Sequence, residues 1–163
     1  MKMPLVAQKR ASNGGGVRTL EKPSGINYAG LMTLPRAFVA MGDERFISLT
    51  TFRKSGEAVS TPVWIARDDD DLVVTTPATS GKVKRLRNSS RVEMRACDRM
   101  GSVREGAPVV TGSAEIESGV GATAKANAIF SAKFTIEYKI FMFIERFGAG
   151  GRKDRVLLRI TPA

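Results

Sequence analysis

Six β-rich segments punctuate this chain, and the first three are joined by links too short for a parallel crossover. They are Arg45–Phe52, Ala58–Arg67, Leu72–Thr76, Arg91–Cys97, Pro108–Glu117 and Arg155–Ile160. Parallel neighbours need a connection of a dozen or more residues, whereas a hairpin needs only a few. Lys54-Ser55-Gly56-Glu57 and Asp68–Asp71 are turn-like and separate the first three segments. Arg91–Cys97 alternates apolar and polar residues, as a half-buried strand does. The pattern predicts a mainly β domain with flanking helices, built as an antiparallel six-stranded barrel.

The third strand runs into the most informative junction. Leu72-Val73-Val74-Thr75-Thr76 is followed by Ser80-Gly81-Lys82-Val83-Lys84-Arg85-Leu86-Arg87. Two hydroxyls at a strand end, a glycine turn and cations opening a helix form an anion site in outline, because a helix start carries free N–H groups and the positive end of the dipole. Val83 and Leu86 form the inward stripe, Lys82 and Arg85 flank it on one side, and Lys84 and Arg87 on the other. Lys82 and Arg85 are read as a phosphate pocket; a solvated basic helix face is the competing reading.

Composition removes several chemistries. The chain has 163 residues, a net charge of +10, no histidine and one cysteine, Cys97. Without histidine there is no usual general base, no Ser-His-Asp or Cys-His arrangement and no common zinc set, so no metal site is expected. Chemistry would then come from a bound cofactor. The lone cysteine reads as an inert buried thiol suited to a reducing cytoplasm. No apolar run approaches the roughly 20 residues that cross a bilayer, and no secretory leader is evident. The charge points to anionic partners. From Thr79 to Arg99 there are seven Lys/Arg against two acids, but no aromatic residues. A compact phosphate-bearing ligand suits such a stretch better than a nucleic acid.

Residues 1–30 hold Gly14-Gly15-Gly16, two prolines and five Lys/Arg against one acid. They read as a flexible basic tail preceding a domain over 31–163. Pro35 suits the first turn of a short helix ending near Met41. Gly112, inside a strand, marks a bulge or a close approach. Asp68–Asp71 reads as a solvated hairpin tip, since it lacks calcium-loop spacing. Residues 122–147 have helical character broken near Thr135, and Ile136–Phe147 is apolar enough to need cover from the sheet or a second subunit.

The ordered series Phe46–Phe52, Gly56, Val59-Ser60-Thr61-Pro62-Val63-Trp64, Thr75-Thr76, Ser80–Asn88 and Arg91-Val92 resembles the pyridoxamine-phosphate-oxidase-like split β-barrels, in particular the branch of coenzyme F420-dependent oxidoreductases. The resemblance covers about Leu34 to Pro162. It implies an FMN-binding split β-barrel that is homodimeric, with two cofactor sites at the interface. Lys82 would hold the cofactor phosphate, with Ser80 and Arg85 assisting. Thr75 and Thr76 would lie beside the ring or ribityl chain, and Thr61, Pro62, Val63 and Trp64 along the tricyclic ring. Each has a plainer reading: Trp64 as a core ring, Thr75 and Thr76 as β-branched strand residues, Pro62 as an edge or bulge marker. The absence of histidine sets the chain apart from the oxidases that act on pyridoxamine phosphate.

The expectation is an oxidoreductase using reduced deazaflavin (coenzyme F420) to pass hydride to a small organic acceptor, with no catalytic side chain assigned. One alternative is an FMN-dependent reductase or oxidase. Another is a non-enzymatic cofactor- or tetrapyrrole-binding protein.

Overall fold

The computed structural model describes residues 35–147 and 154–163, with the side chains of 140–147 left aside. The expected basic tail over 1–30 lies outside the described residues. The chain runs α1 (Arg36–Met41), β1 (Phe46–Phe52), β2 (Ala58–Trp64), β3 (Ala66–Asp68), β4 (Asp71–Pro77), α2 (Gly81–Leu86), β5 (Arg91–Cys97), β6 (Val110–Glu117), α3 (Val120–Phe147) and β7 (Arg155–Pro162). Pro35 stands at the cap of α1, and its carbonyl accepts the amides of Phe38 and Val39.

One sheet holds the strands in the order β2-β1-β5-β6-β7-β4-β3, and its ladders are antiparallel. Its two outermost strands are consecutive in sequence and separated only by Ile65, which is fully buried. A single bent segment therefore runs from one edge to the other, so the sheet curls into a half-barrel closed covalently at that corner. The strand count corrects the expected six to seven. Residues 58–67 are not one strand, because Ala58–Trp64 pairs with β1 and Ala66–Asp68 with β4. Side chains alternate without interruption through the change: Val63 and Ile65 enter one core, Trp64 and Ala66 the other. The pattern of residues thus carries no mark of the exchange of partners.

The two faces of the sheet bury two clusters. Inside the curl, Ile47, Leu49, Val63, Ile65, Val74, Met94, Leu158 and Ile160 meet Phe38 and Met41 of α1 and Val83 and Leu86 of α2. The spacing of three in each short helix turns both apolar residues towards the sheet. Outside, Ala66, Val73 and Leu157 pack against Ala126, Phe130, Phe134 and Tyr138 of α3, a stripe at intervals of four. Gly112 is the close approach its position suggested: a β-carbon there would stand 2.8 Å from the Thr161 carbonyl oxygen.

The break expected near Thr135 lies at Thr135 itself, where φ is 43° and ψ is −102° inside α3. Both flanks of the break are tied to the sheet side. Lys133 Nζ donates to the carbonyls of Gly42 (2.6 Å), Glu44 (2.6 Å) and Ile65 (2.9 Å), and Arg45 pairs with Glu137. Within the described part of 136–147, the sheet covers Tyr138 and leaves Ile136 exposed. On the outer face Arg159 joins Asp68 (2.8 Å), Asp71 (2.9 Å) and Glu117 (2.5 Å), and Lys125 reaches Asp68 at 2.6 Å. Half of the acidic run is therefore an internal cross-brace, and only Asp69 and Asp70 are exposed as at a hairpin tip.

Candidate anion and cofactor site

The β4–α2 junction gathers four of the expected residues. Thr76 is the last inward-facing residue of β4 and is buried. Lys82 Nζ donates to Thr76 Oγ1 at 3.3 Å, and Thr76 Oγ1 donates to Ser80 Oγ at the same distance. Arg85, one turn beyond Gly81, donates from Nε to Thr51 Oγ1 at 2.7 Å. Neither η nitrogen of Arg85 has a hydrogen-bond partner among the described residues. Val83 and Leu86 anchor α2 in the inner core and so fix where these side chains emerge.

The electrostatics are one-sided. Burial, and then the neighbouring Arg85 and Arg155 guanidiniums, push the Lys82 ammonium below the ordinary lysine value. A half-buried ammonium usually has a carboxylate beside it, because uncompensated charge in a poorly solvated site is unfavourable. Lys82 has one hydroxyl partner among the described residues and two like-charged neighbours. An anion beside Lys82 and the Arg85 η nitrogens would accept from both and relieve the repulsion between them, with charge-assisted bonds about twice as strong as neutral ones. Lys84 and Arg87 are exposed on the far flank, as the wheel predicted.

The remaining expected residues divide between the two faces. Thr75 points opposite to Thr76 and is buried; its hydroxyl accepts Arg155 Nε at 3.1 Å and its carbonyl accepts Arg155 Nη2 at 3.2 Å. Thr61 shares the inner face of β2 with Val63, which is buried in the inner core. Pro62 is exposed on the outer face. Trp64, on that same face, stacks on Phe134 at 5.3 Å and packs against Phe46 and Tyr138. Thr51 and Arg155 were missed in the sequence. Thr51 reads as one more β-branched strand residue, and Arg155 lies 80 residues from Thr75; only the three-dimensional pairing of β4 with β7 joins them.

Among the described residues no group of His, Cys, Asp and Glu could hold a metal ion, and no helix is long and apolar enough to cross a membrane. Cys97 is a buried free thiol, and burial raises its pKa.

Sequence comparison assigns this half-barrel to a class. The family model for pyridoxamine 5'-phosphate oxidase matches residues 35–163. The chain belongs to that family. Solved structures with the same fold include an F420 reductase, at 19% identity over 80% of this chain and 96% of that one, with a TM-score of 0.52. A FAD-binding protein from Mesorhizobium loti is similar at 18% identity over 75% and 82%, with a TM-score of 0.50. The heme storage protein HutZ from Vibrio cholerae aligns at 14% identity over 81% and 92%, with a TM-score of 0.55. No curated protein matches the chain in sequence.

Proposed function

We propose that the cluster of Lys82, Arg85, Thr76 and Ser80 holds the phosphate of a deazaflavin cofactor, coenzyme F420, in an oxidoreductase acting on a small organic acceptor. The observation that carries this reading is Lys82 itself, half-buried near two guanidiniums and, among the described residues, with a single hydroxyl partner. When bound, the cofactor supplies hydride chemistry, which needs positioning and exclusion of water more than a side-chain base. A chain without histidine can meet that demand. Lys82 and the free η nitrogens of Arg85 would grip the phosphate, Thr76 and Ser80 would hold Lys82 in place, and Thr75 would orient Arg155 as a third cation. Val63 and Trp64 are committed to packing and Pro62 faces outward, so ring contact falls to Thr61 on the inner face.

The same cluster fits the terminal phosphate of FMN, and three cations suit a dianion well, so an FMN-dependent reductase is the second reading. Tetrapyrrole binding is less favoured, because the chain lacks the usual axial histidine. A homodimer with two such sites at its interface is part of the proposal, and exposed Ile136 supports it. Sedimentation returning a monomer at working concentration overturns that part. A domain over 31–163 that keeps its fold without residues 1–30 is also proposed; a much lower melting midpoint after truncation contradicts it.

Fluorescence titration with F420, FMN and riboflavin tests the assignment. A phosphate-bearing cofactor should bind, and riboflavin, which lacks the phosphate, at least about tenfold more weakly than FMN if FMN is the ligand, as loss of a charged hydrogen bond implies. Binding of none of the three removes the reading.

A further inference from the structure

Gly81 opens α2 with nothing in its own backbone to require a glycine. Among the described residues, the glycines with positive φ are Gly56, Gly101, Gly106 and Gly119, and Gly81 is not one of them. Alanine is the better helix former, by about 1 kcal/mol in a helix interior. The residue is exposed, so no core volume forbids a methyl group.

What a β-carbon would meet is Arg85. It would stand 3.0 Å from Nη1, 3.8 Å from Cζ and 3.9 Å from Nη2, so the guanidinium lies across the place a side chain would occupy. From the other side, Thr51 Oγ1 accepts Arg85 Nε at 2.7 Å, and Thr51 is fully buried at 0% exposure. Arg85 is thus held between a gap and a fixed hydroxyl. To admit a methyl group the guanidinium must give by a few tenths of an ångström or leave this rotamer, and the bond to Thr51 resists the smaller shift. The helix itself has no reason to suffer, because the group that yields is the free end of a long side chain.

We propose that Gly81 is a positioning residue of the anion cluster: its missing β-carbon lets the Arg85 guanidinium fold back over the first turn of α2 and stand beside Lys82. The inference rests on the phosphate reading for its purpose, but not for its geometry. Displacing Arg85 moves one of the like charges that depress the Lys82 pKa, and this effect exists in the protein without any cofactor.

The test is a double-variant cycle of Gly81→Ala and Arg85→Ala in the full-length protein. The first readout is the pH dependence of amine acetylation at Lys82, resolved by mass spectrometry. Its midpoint should rise in Gly81→Ala, rise at least as far in Arg85→Ala, and rise no further in the double variant, with the unfolding midpoint not lowered by Gly81→Ala. An unchanged Lys82 midpoint in Gly81→Ala, or fully additive effects, overturns the inference. The second readout is the affinity for F420 and FMN, which should fall by at least about threefold in Gly81→Ala, part of the loss expected when a charged hydrogen bond goes. If both variants move the Lys82 midpoint and Arg85→Ala leaves both affinities unchanged, the positioning role stands and the phosphate reading falls.

Discussion

Two half-buried lysines of this protein, Lys82 and Lys133, look alike until their partners are counted. Burial is the leading cause that lowers the pKa of each. Lys133 spends its ammonium on three backbone carbonyls, from Gly42, Glu44 and Ile65, and Asp43 and Glu44 partly offset its charge. It closes the corner where β2 becomes β3 and braces α3 just before its break. Lys82 has one hydroxyl and two neighbouring guanidiniums. An ammonium with every donor satisfied is explained by the fold, whereas one left among like charges calls for something the fold does not contain. Burial and pKa shift do not separate the two roles; the inventory of partners does.

The sharpest way to break the contrast is to truncate each lysine and read stability and affinity together. Lys133→Ala leaves three carbonyls without their donor and should cost about 2–3 kcal/mol of stability, within the range for bonds to a charged group after allowance for partial exposure. Chemical denaturation measures it, and the cofactor affinity of the folded protein should change little. Lys82→Ala should do the reverse, leaving stability unchanged or slightly improved as repulsion with Arg85 and Arg155 is relieved. Comparable losses of stability in the two variants would erase the distinction.

A pH series tells the two lysines apart by a smaller effect. Each lysine has a folded-state pKa below the unfolded value, so the unfolded chain binds more protons between the two, and stability rises with pH across that window. For Lys82 the window lies between its depressed value and 10.5. Cofactor affinity should move the opposite way, falling as pH climbs through the depressed pKa, because the ammonium that grips the phosphate is lost. Affinity that is flat through this range in the native protein contradicts the role given to Lys82. The smallest effect belongs to Lys84→Ala: exposed on the far flank of α2, it should shift neither stability nor affinity measurably in the same titrations. Equal losses at Lys82, Arg85 and Lys84 would mean diffuse charge rather than a pocket.

How much of this was legible depended on whether the deciding interactions were local. The β4–α2 junction could be read in advance because Thr76, Ser80, Lys82 and Arg85 lie within ten residues, and a strand end followed by one helical turn leaves little freedom in their placement. The break at Thr135 was legible for the same reason. The division of residues 58–67 into β2 and β3 was not, because alternation continues through Ile65 while the pairing partner changes. Nor was Arg155, which the pairing of β4 with β7 brings beside Thr75. Adjacent residues also mislead when a strand separates them, as it does Thr75 from Thr76 and Pro62 from Val63. The acidic run Asp68–Asp71 shows the same effect, since its ends turn back to Arg159 while its middle faces water.

Whether Lys82 is held for an anion is decided by the equilibrium dissociation constant of the bound cofactor in Lys82→Ala. The constant should rise about ten- to a hundredfold, equivalent to roughly 1.5–3 kcal/mol, with the unfolding midpoint of the free protein unchanged or higher. An affinity equal to that of the native protein would contradict it.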